Sequence, residues 1–450
     1  MHRLRAASRS SPRLASLYRG VRGFALGGPA PKPSELSPPI QDRVGQLRRP
    51  SLVASPRSGY RLNLVVPTVD GAGTFGGIRT ALDLFETVGA DVSERRIVSV
   101  ARHPPQGPVA VDAYSPVVGG DDPDVPLQLV RAGRAADRLA VRPDDVFVAT
   151  YWTTAELVGR IRRWQRATYG SVPERFGYVI QDFEPGFYAF SAEWMLARAT
   201  YDQPAETIGV YNTSALRDHF HGIGIRFVEE YTFEPRLLPE LRAAMAAPPT
   251  VRSRTIVVYG RPGTPRNAFP AIVDGLRAWH AANADSSRWE LVSVGRSHPD
   301  IDLGGGAVLR SIGKLDLDGY AALLRRAAIG ISLMISPHPS YPPLEMANLG
   351  MLVLTNRFGA KDLSTWHSNI RTTDDLSAEG LATELEAMCL SFERDPDIGV
   401  AGRALRPEFL SETPAFPFAS RLATDLRAGV RDGDLGAGAP FQQSETATPR

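Results

Sequence analysis

The chain has 450 residues, 43% of them hydrophobic and 22% charged, with a formal net charge of +2. That length suits two domains, and the ordinary charged fraction excludes a wholly disordered chain. A single cysteine, Cys389, excludes an intrachain disulfide and a cysteine metal cluster, and no apolar run is long enough to cross a bilayer.

Residues 1–50 hold ten Lys/Arg and two Asp/Glu, which leaves 41 basic and 47 acidic residues beyond them. A basic tail therefore precedes a slightly acidic body, and that body offers no charge argument for nucleic acid. Residues 1–58 are rich in Pro, Ser, Gly and Arg and lack periodicity, so a disordered tail is expected. Its clustered arginines would allow a weak contact with an anionic membrane surface. The tail is a poor secretory signal, and the lone cysteine suits a reducing compartment, so a cytoplasmic location is expected.

Regular structure is expected from the apolar run Arg61–Val66, a buried strand. A glycine-rich loop, Asp70–Gly77, follows, and then Ile78, Ala81, Leu82, Phe85 and Val88 at helical spacing. Strands are expected again at 97–100, 146–150, 177–180 and 207–211, with helices near 154–166 and 192–200. Such alternation predicts a mostly parallel sheet covered on both faces. A segment rich in Ala, Pro and Arg, 237–254, marks a domain boundary. A second series then opens with a strand at 255–259 and a helix from about Ala268. Strands follow at 290–294, 308–312, 329–335 and 351–355, with helices near 318–328 and 343–349. The expected division is a tail over 1–58, one Rossmann-like domain over 59–236, another over 237–430 and a disordered end over 431–450.

In open α/β sheets ligands sit at the carboxyl ends of the strands. Four loops there stand out. Gly71–Gly77, with Gly76 and Gly77 at its end, would let backbone N–H groups approach an anion, although its spacing matches neither the dinucleotide motif nor the P-loop. Arg261 and Arg266 leave one strand end and precede a helix, and guanidinium forks suit phosphate oxygens. Lys314 follows a strand and could offer a point charge. The proline-rich loop from Ser336 through His338, Ser340, Tyr341 and Leu344 ends with Glu345 in a helical first turn, where its carboxylate could accept paired ribose hydroxyls. In the first half, Asp182 and Glu184 beside Phe183, Phe187 and Tyr188, with Trp152 on the neighbouring strand end, give the carboxylate and aromatic mixture of sugar sites. Ordinary packing is the rival reading of these acceptor-side residues.

These segments resemble the rhamnosyltransferases of the WsaF type. They lie within the large retaining GT-B glycosyltransferase family that includes glycogen and sucrose synthases. The resemblance rests on Asn63–Pro67 with Phe75–Ile78, on Gln181–Pro185, on Tyr259–Pro262 with Arg266 and Asn267, and on Pro337–Met346, continued by Thr355, Asn356 and Lys361–Leu363. It implies a GT-B fold, two doubly wound Rossmann-like domains facing a cleft, and transfer of a sugar, L-rhamnose from dTDP-L-rhamnose, to a glycan or lipid-linked glycan of a bacterial surface polysaccharide. It implies Arg261 and Arg266 on the donor diphosphate and Glu345 on the nucleotide ribose. Backbone of Ser340–Leu344 would lie near the phosphates and sugar, and Gly76 and Gly77 would close from the other domain. The wider family commonly has a second Glu eight residues before the Glu345 position, where this chain has Pro337. A donor used as substrate, with no cofactor and no metal, is the further implication. A nucleotide-sugar epimerase on the same fold and a catalytically inactive glycan-binding protein are the alternatives.

Overall fold

The computed structural model describes residues 47, 49–70, 77–103, 111–247, 251–412 and 415–430. The strands of the first half, in chain order, are β1 (Ser51–Ala54), β2 (Arg61–Val66), β3 (Arg95–Ser99), β4 (Ser115–Pro116), β5 (Leu127–Arg131), β6 (Arg138–Val141), β7 (Asp145–Ala149), β8 (Phe176–Ile180), β9 (Thr207–Asn212) and β10 (Glu229–Phe233). Eight of them form one parallel sheet in the order β10-β9-β8-β7-β2-β3-β5-β4, and β1 pairs with β6 beside it. The helices are α1 (Gly77–Val88), α2 (Trp152–Tyr169), α3 (Ala192–Ala199) and α4 (Ser214–Gly222).

The second half opens with α5 (Pro239–Ala246) and β11 (Ser253–Gly260). It continues with α6 (Phe269–Ala282), β12 (Glu290–Gly295), β13 (Ile301–Gly304), β14 (Ala307–Gly313), α7 (Leu317–Arg326), β15 (Ala327–Ile331), α8 (Pro342–Asn348), β16 (Leu352–Asn356), β17 (Ile370–Thr373), α9 (Ala378–Arg394) and α10 (Ala419–Arg427). Its seven-stranded sheet runs β13-β14-β12-β11-β15-β16-β17, parallel except for the β13/β14 pair.

Strand periodicity explains the layering. In β2, Leu62, Leu64 and Val66 pack under α1, whereas Val65 points to the opposite face with Phe147, Tyr178 and α2 residues Leu157, Val158 and Ile161. In β11, Ile256 and Val258 meet α6 and α9, and Val257 meets α7 and α8. Buried on both faces, such strands read as continuous apolar runs, and this is why they stand out in the sequence.

Three departures from the sequence-based boundaries have physical causes. Residues 51–54, assigned to the tail, form β1, because their four residues find a partner in β6. The strand expected over 329–335 ends at Ile331; residues 332–341 leave the sheet as a loop, with Pro337 and Pro339 unable to donate to a ladder. Helix α10, assigned to the second domain, packs Ala419, Leu422 and Leu426 into the first half's core beside Leu62 and Val148. Residues 1–46 and 48 of the expected tail and residues 431–450 lie outside the described residues, and so does the expected membrane contact. No described helix is long and apolar enough to cross a membrane.

At the amino ends of β2, β3 and β7, the buried arginines Arg61, Arg96 and Arg142 interlock with Asp145 and Asp121. Arg61 Nε lies 2.7 Å from Asp145 Oδ1. This ionic core sits at the strand ends opposite the loops considered below. There it fixes β2, β3 and β7 relative to one another.

Candidate active site

Strand order reverses around β11, whose neighbours are β12 on one side and β15 on the other. The loops after β11 and β15 therefore diverge at a crevice, the place where open α/β sheets hold ligands. Gly260 ends β11 because a side chain there would strike Ser293 Oγ on β12. The two loops are then stitched together: Ile335 N–H donates to the Arg266 carbonyl at 2.6 Å, and Asn267 Nδ2 donates to the Leu333 carbonyl at 3.1 Å. Ala268 (φ 47°) and Ser340 (φ 67°) both adopt left-handed backbone without being glycine. Each costs on the order of 1 kcal/mol and persists only where surrounding bonds enforce it.

The proline-rich loop is braced from below. Asn356 exchanges two hydrogen bonds with the Met334 backbone, at 2.7 and 3.1 Å, and Lys361 Nζ donates to the same carbonyl at 2.5 Å. Lys361 is fully buried, and burial pulls its ammonium down to about 7 although Asp182 opposes the shift. His338 is also buried and accepts Ser340 N–H at Nδ1, 3.0 Å away. Burial brings its pKa down to about 4, so the ring is neutral at physiological pH. Ser340 and Leu344 are buried with it. Neither Asn356 nor Lys361 carries a role in the sequence reading beyond the resemblance. Their only sequence signal is position, on and just past the end of a buried strand.

Glu345 sits in the first turn of α8, where Pro342 and Pro343 suit helix positions without N–H partners. It is partly buried, and among the described residues the Tyr320 hydroxyl, 3.1 Å from Oε2, is its hydrogen-bond partner. Burial raises its pKa to about 7, against the Tyr320 bond. Tyr259, at the end of β11, takes a hydrogen bond from Arg261 and feels the charge of Glu345. Arg261, Tyr259, Tyr320 and Glu345 thus form one polar group at the crevice, with Arg261 exposed; Lys314, just past the end of β14, is exposed as well. Tyr320 gives no signal in the sequence, being an ordinary helical tyrosine.

Arg266 points toward the first half. Its Nη1 is 2.8 Å from Asp182 Oδ2, and its Cζ lies 4.0 Å from the centre of the Phe187 ring. Ser336 Oγ donates to Asp182 Oδ1 across the same gap, and Phe183 N–H donates to that oxygen at 2.8 Å. Tyr341 meets Asn212 at 3.5 Å. The expected donor loop and Asp182 therefore come together directly.

The other acceptor-side expectations are corrected. Glu184 is 2% exposed; its Oε2 accepts from the Trp152 backbone N–H and from the Tyr178 hydroxyl at 3.0 Å. Burial holds its carboxyl well above the usual range. Trp152 is 1% exposed and donates Nε1–H to the Tyr188 hydroxyl at 3.0 Å. Both belong to the packing that starts α2, and neither offers a surface to a sugar. The rings left toward solvent are Tyr151 and Phe187, stacked at 6.2 Å, with Phe190 91% exposed beyond them. Gly77 starts α1, and its carbonyl accepts a hydrogen bond from the Gln181 Nε2–H at 2.5 Å; a side chain there would overlap Gln181. That contact accounts for the glycine, while Gly76 lies outside the described residues. Among the described residues no group of three His, Cys, Asp or Glu is placed to hold a metal.

Comparison with known proteins agrees with this architecture. The trehalose-6-phosphate protein of E. coli bound with UDP-2-fluoro glucose matches with a TM-score of 0.50 and 11% identity, over 82% of this chain and 99% of that one. The alpha,alpha-trehalose 6-phosphate synthase of Burkholderia multivorans matches equally, with a TM-score of 0.50 and 11% identity over 82% of this chain and 98% of the other. Such identities speak for the fold. The O-antigen biosynthesis protein RfbC of Myxococcus xanthus is 31% identical over 229 residues, which is 50% of this chain. The match spans only 17% of that relative's length. The N-terminal domain model of WsaF matches residues 61–214 and its C-terminal domain model residues 254–386. With both domains matched in order, the chain belongs to the WsaF family and carries the GT-B glycosyltransferase fold of two Rossmann-like domains.

Proposed function

We propose that the protein is a glycosyltransferase of bacterial surface polysaccharide synthesis. It transfers a sugar, L-rhamnose from dTDP-L-rhamnose, to a glycan or lipid-linked glycan. The observation that carries this reading is the convergence of Arg261, Arg266, Glu345 and the braced loop 332–341 at the strand-order reversal of the second sheet. Family membership supports the reaction class, and the missing family Glu at Pro337 suits a 6-deoxy sugar, which has one hydroxyl fewer to bind.

The reaction breaks the anomeric C–O bond, and its electron pair departs onto the diphosphate. The transition state is oxocarbenium-like, and negative charge grows on the phosphate. Arg266, held by Asp182 and Phe187, is oriented before reaction, and with Arg261 it faces that charge, the form of electrostatic catalysis that needs least reorganisation. Glu345 takes the nucleotide ribose hydroxyls when ionised, and Tyr320 sets the direction of its carboxylate. The acceptor hydroxyl attacks the anomeric carbon from the first half's side, near Tyr151 and Phe187. Its proton passes to the departing phosphate, and the anomeric configuration is retained. No metal takes part in this scheme.

Thermal shift with dTDP and UDP tests the donor assignment. Both should raise the melting temperature of the wild-type protein, dTDP more, and the Arg266→Ala protein should lose most of the rise. An Arg266→Ala protein that responds like wild type removes the diphosphate assignment.

A further inference from the structure

We infer that Asp182 is a positioning residue for the donor site, acting through Arg266. This rests on the reading of Arg266 as a diphosphate ligand, and it assigns Asp182 to the donor side of the cleft in place of the acceptor side.

Four observations carry it. Asp182 leaves the carboxyl end of β8 in the first half, yet its partners beyond the adjacent Phe183 N–H belong to the second half. Those partners, Arg266 and Ser336, come from the two loops that diverge at the β11/β15 crevice, so a single carboxylate ties both to the opposite domain. The Phe187 ring covers one face of the same guanidinium, so an anion and a π-face from one loop fix both its direction and its plane. The Asp182 side chain is 10% exposed, whereas Arg266 keeps 27%, which leaves guanidinium N–H groups able to reach a ligand.

A carboxylate in this place has two opposed effects. It aims the guanidinium, and it cancels part of the charge that would attract a diphosphate. Its removal should therefore strengthen binding of the free nucleotide and slow transfer. The two simpler roles give other results. A carboxylate that only supports the fold would weaken both on removal, and one that only accepts the acceptor's proton would leave nucleotide affinity unchanged.

Calorimetry of dTDP and UDP binding, beside sugar-transfer kinetics, tests the inference in the full-length protein. For Asp182→Asn the expected result is nucleotide binding tighter on the order of five-fold, the size of a part-exposed ion pair, with reduced kcat. Asp182→Glu keeps the charge, so its affinity should stay close to wild type with part of the kcat recovered; this variant also serves should Asp182→Asn not fold. Unchanged or weaker nucleotide binding by a folded Asp182→Asn protein overturns the inference, as does tighter binding by Asp182→Glu. A wild-type protein that binds neither nucleotide overturns the donor assignment itself, and this inference with it.

Discussion

Glu184 and Glu345 make an instructive pair. Each follows the carboxyl end of a parallel strand, each lies in the first turn of a short helical segment flanked by proline, and each has its pKa raised by burial. From the sequence they look alike. In the fold Glu184 is spent on the protein itself, on the first N–H of α2 and the Tyr178 hydroxyl, while Glu345 is partly exposed with the Tyr320 hydroxyl as its hydrogen-bond partner among the described residues. A carboxylate near a strand end becomes a ligand group only when the chain does not consume its lone pairs. The neighbouring loops decide this: the compact turn 184–187 folds its carboxylate inward onto α2, and the proline-rich loop 332–341 holds its helix at the crevice edge.

Substitutions should separate the two carboxylates. The largest effect is expected at Arg266. Removing one preorganised donor to a developing anion costs roughly 100- to 1,000-fold in turnover, so Arg266→Ala should fall by that order in steady-state transfer at saturating donor. Next comes Glu345→Gln. Lost ribose hydrogen bonds cost roughly 1–3 kcal/mol, or about 10- to 100-fold in donor affinity. Calorimetry should show the loss, and kinetics at saturating donor should still show turnover. Intact affinity with no turnover would instead make Glu345 a nucleophile or an obligatory acid or base.

Glu184 should behave in the opposite manner. Glu184→Ala leaves the Trp152 N–H and the Tyr178 hydroxyl unpaired, at a cost of about 1–3 kcal/mol of stability, visible as a lower denaturant midpoint. Donor affinity per folded molecule should not change. Glu184→Gln keeps an acceptor without a charge and should be mild.

A pH dependence of stability is expected as well. The Glu345 carboxyl, raised from 4.5 to about 7, binds its proton more tightly folded than unfolded. Its contribution to stability is therefore complete below pH 4.5 and declines as pH rises toward 7, by at most about 3 kcal/mol. Relative to wild type, Glu345→Gln should melt higher at pH 8 than at pH 5. Equal differences at both values would mean that the carboxyl is not buried enough to matter.

Much of the fold was legible because β2, β7, β8, β11 and β15 each carry a short apolar run buried on both faces. Less was legible where a strand owes its existence to a partner: β1 has only four residues and needs β6, and β4 has two. Helix α10 has clear amphipathic spacing, but nothing local tells which half it will cover. In the site, the arginine loop and the proline-rich loop were legible from composition at strand ends. Burial was not. Trp152 and Glu184 have the residue types of a sugar site and lie in the interior, and Asp182 turns from the acceptor side to Arg266. Contacts between distant segments, such as Tyr320 with Glu345 or Lys361 with Met334, leave no periodic trace in the chain.

Breaking a nucleotide-sugar bond and passing the sugar on is the activity proposed for this site. The most direct measurement is nucleotide release from dTDP-L-rhamnose and from UDP-glucose by the purified wild-type protein, followed chromatographically with and without a soluble surface-polysaccharide acceptor. Release of dTDP from dTDP-L-rhamnose, accelerated by the acceptor, with much slower release of UDP, is the expected result. Both donors remaining intact while dTDP still binds would contradict it and leave a nucleotide-binding protein without transfer activity.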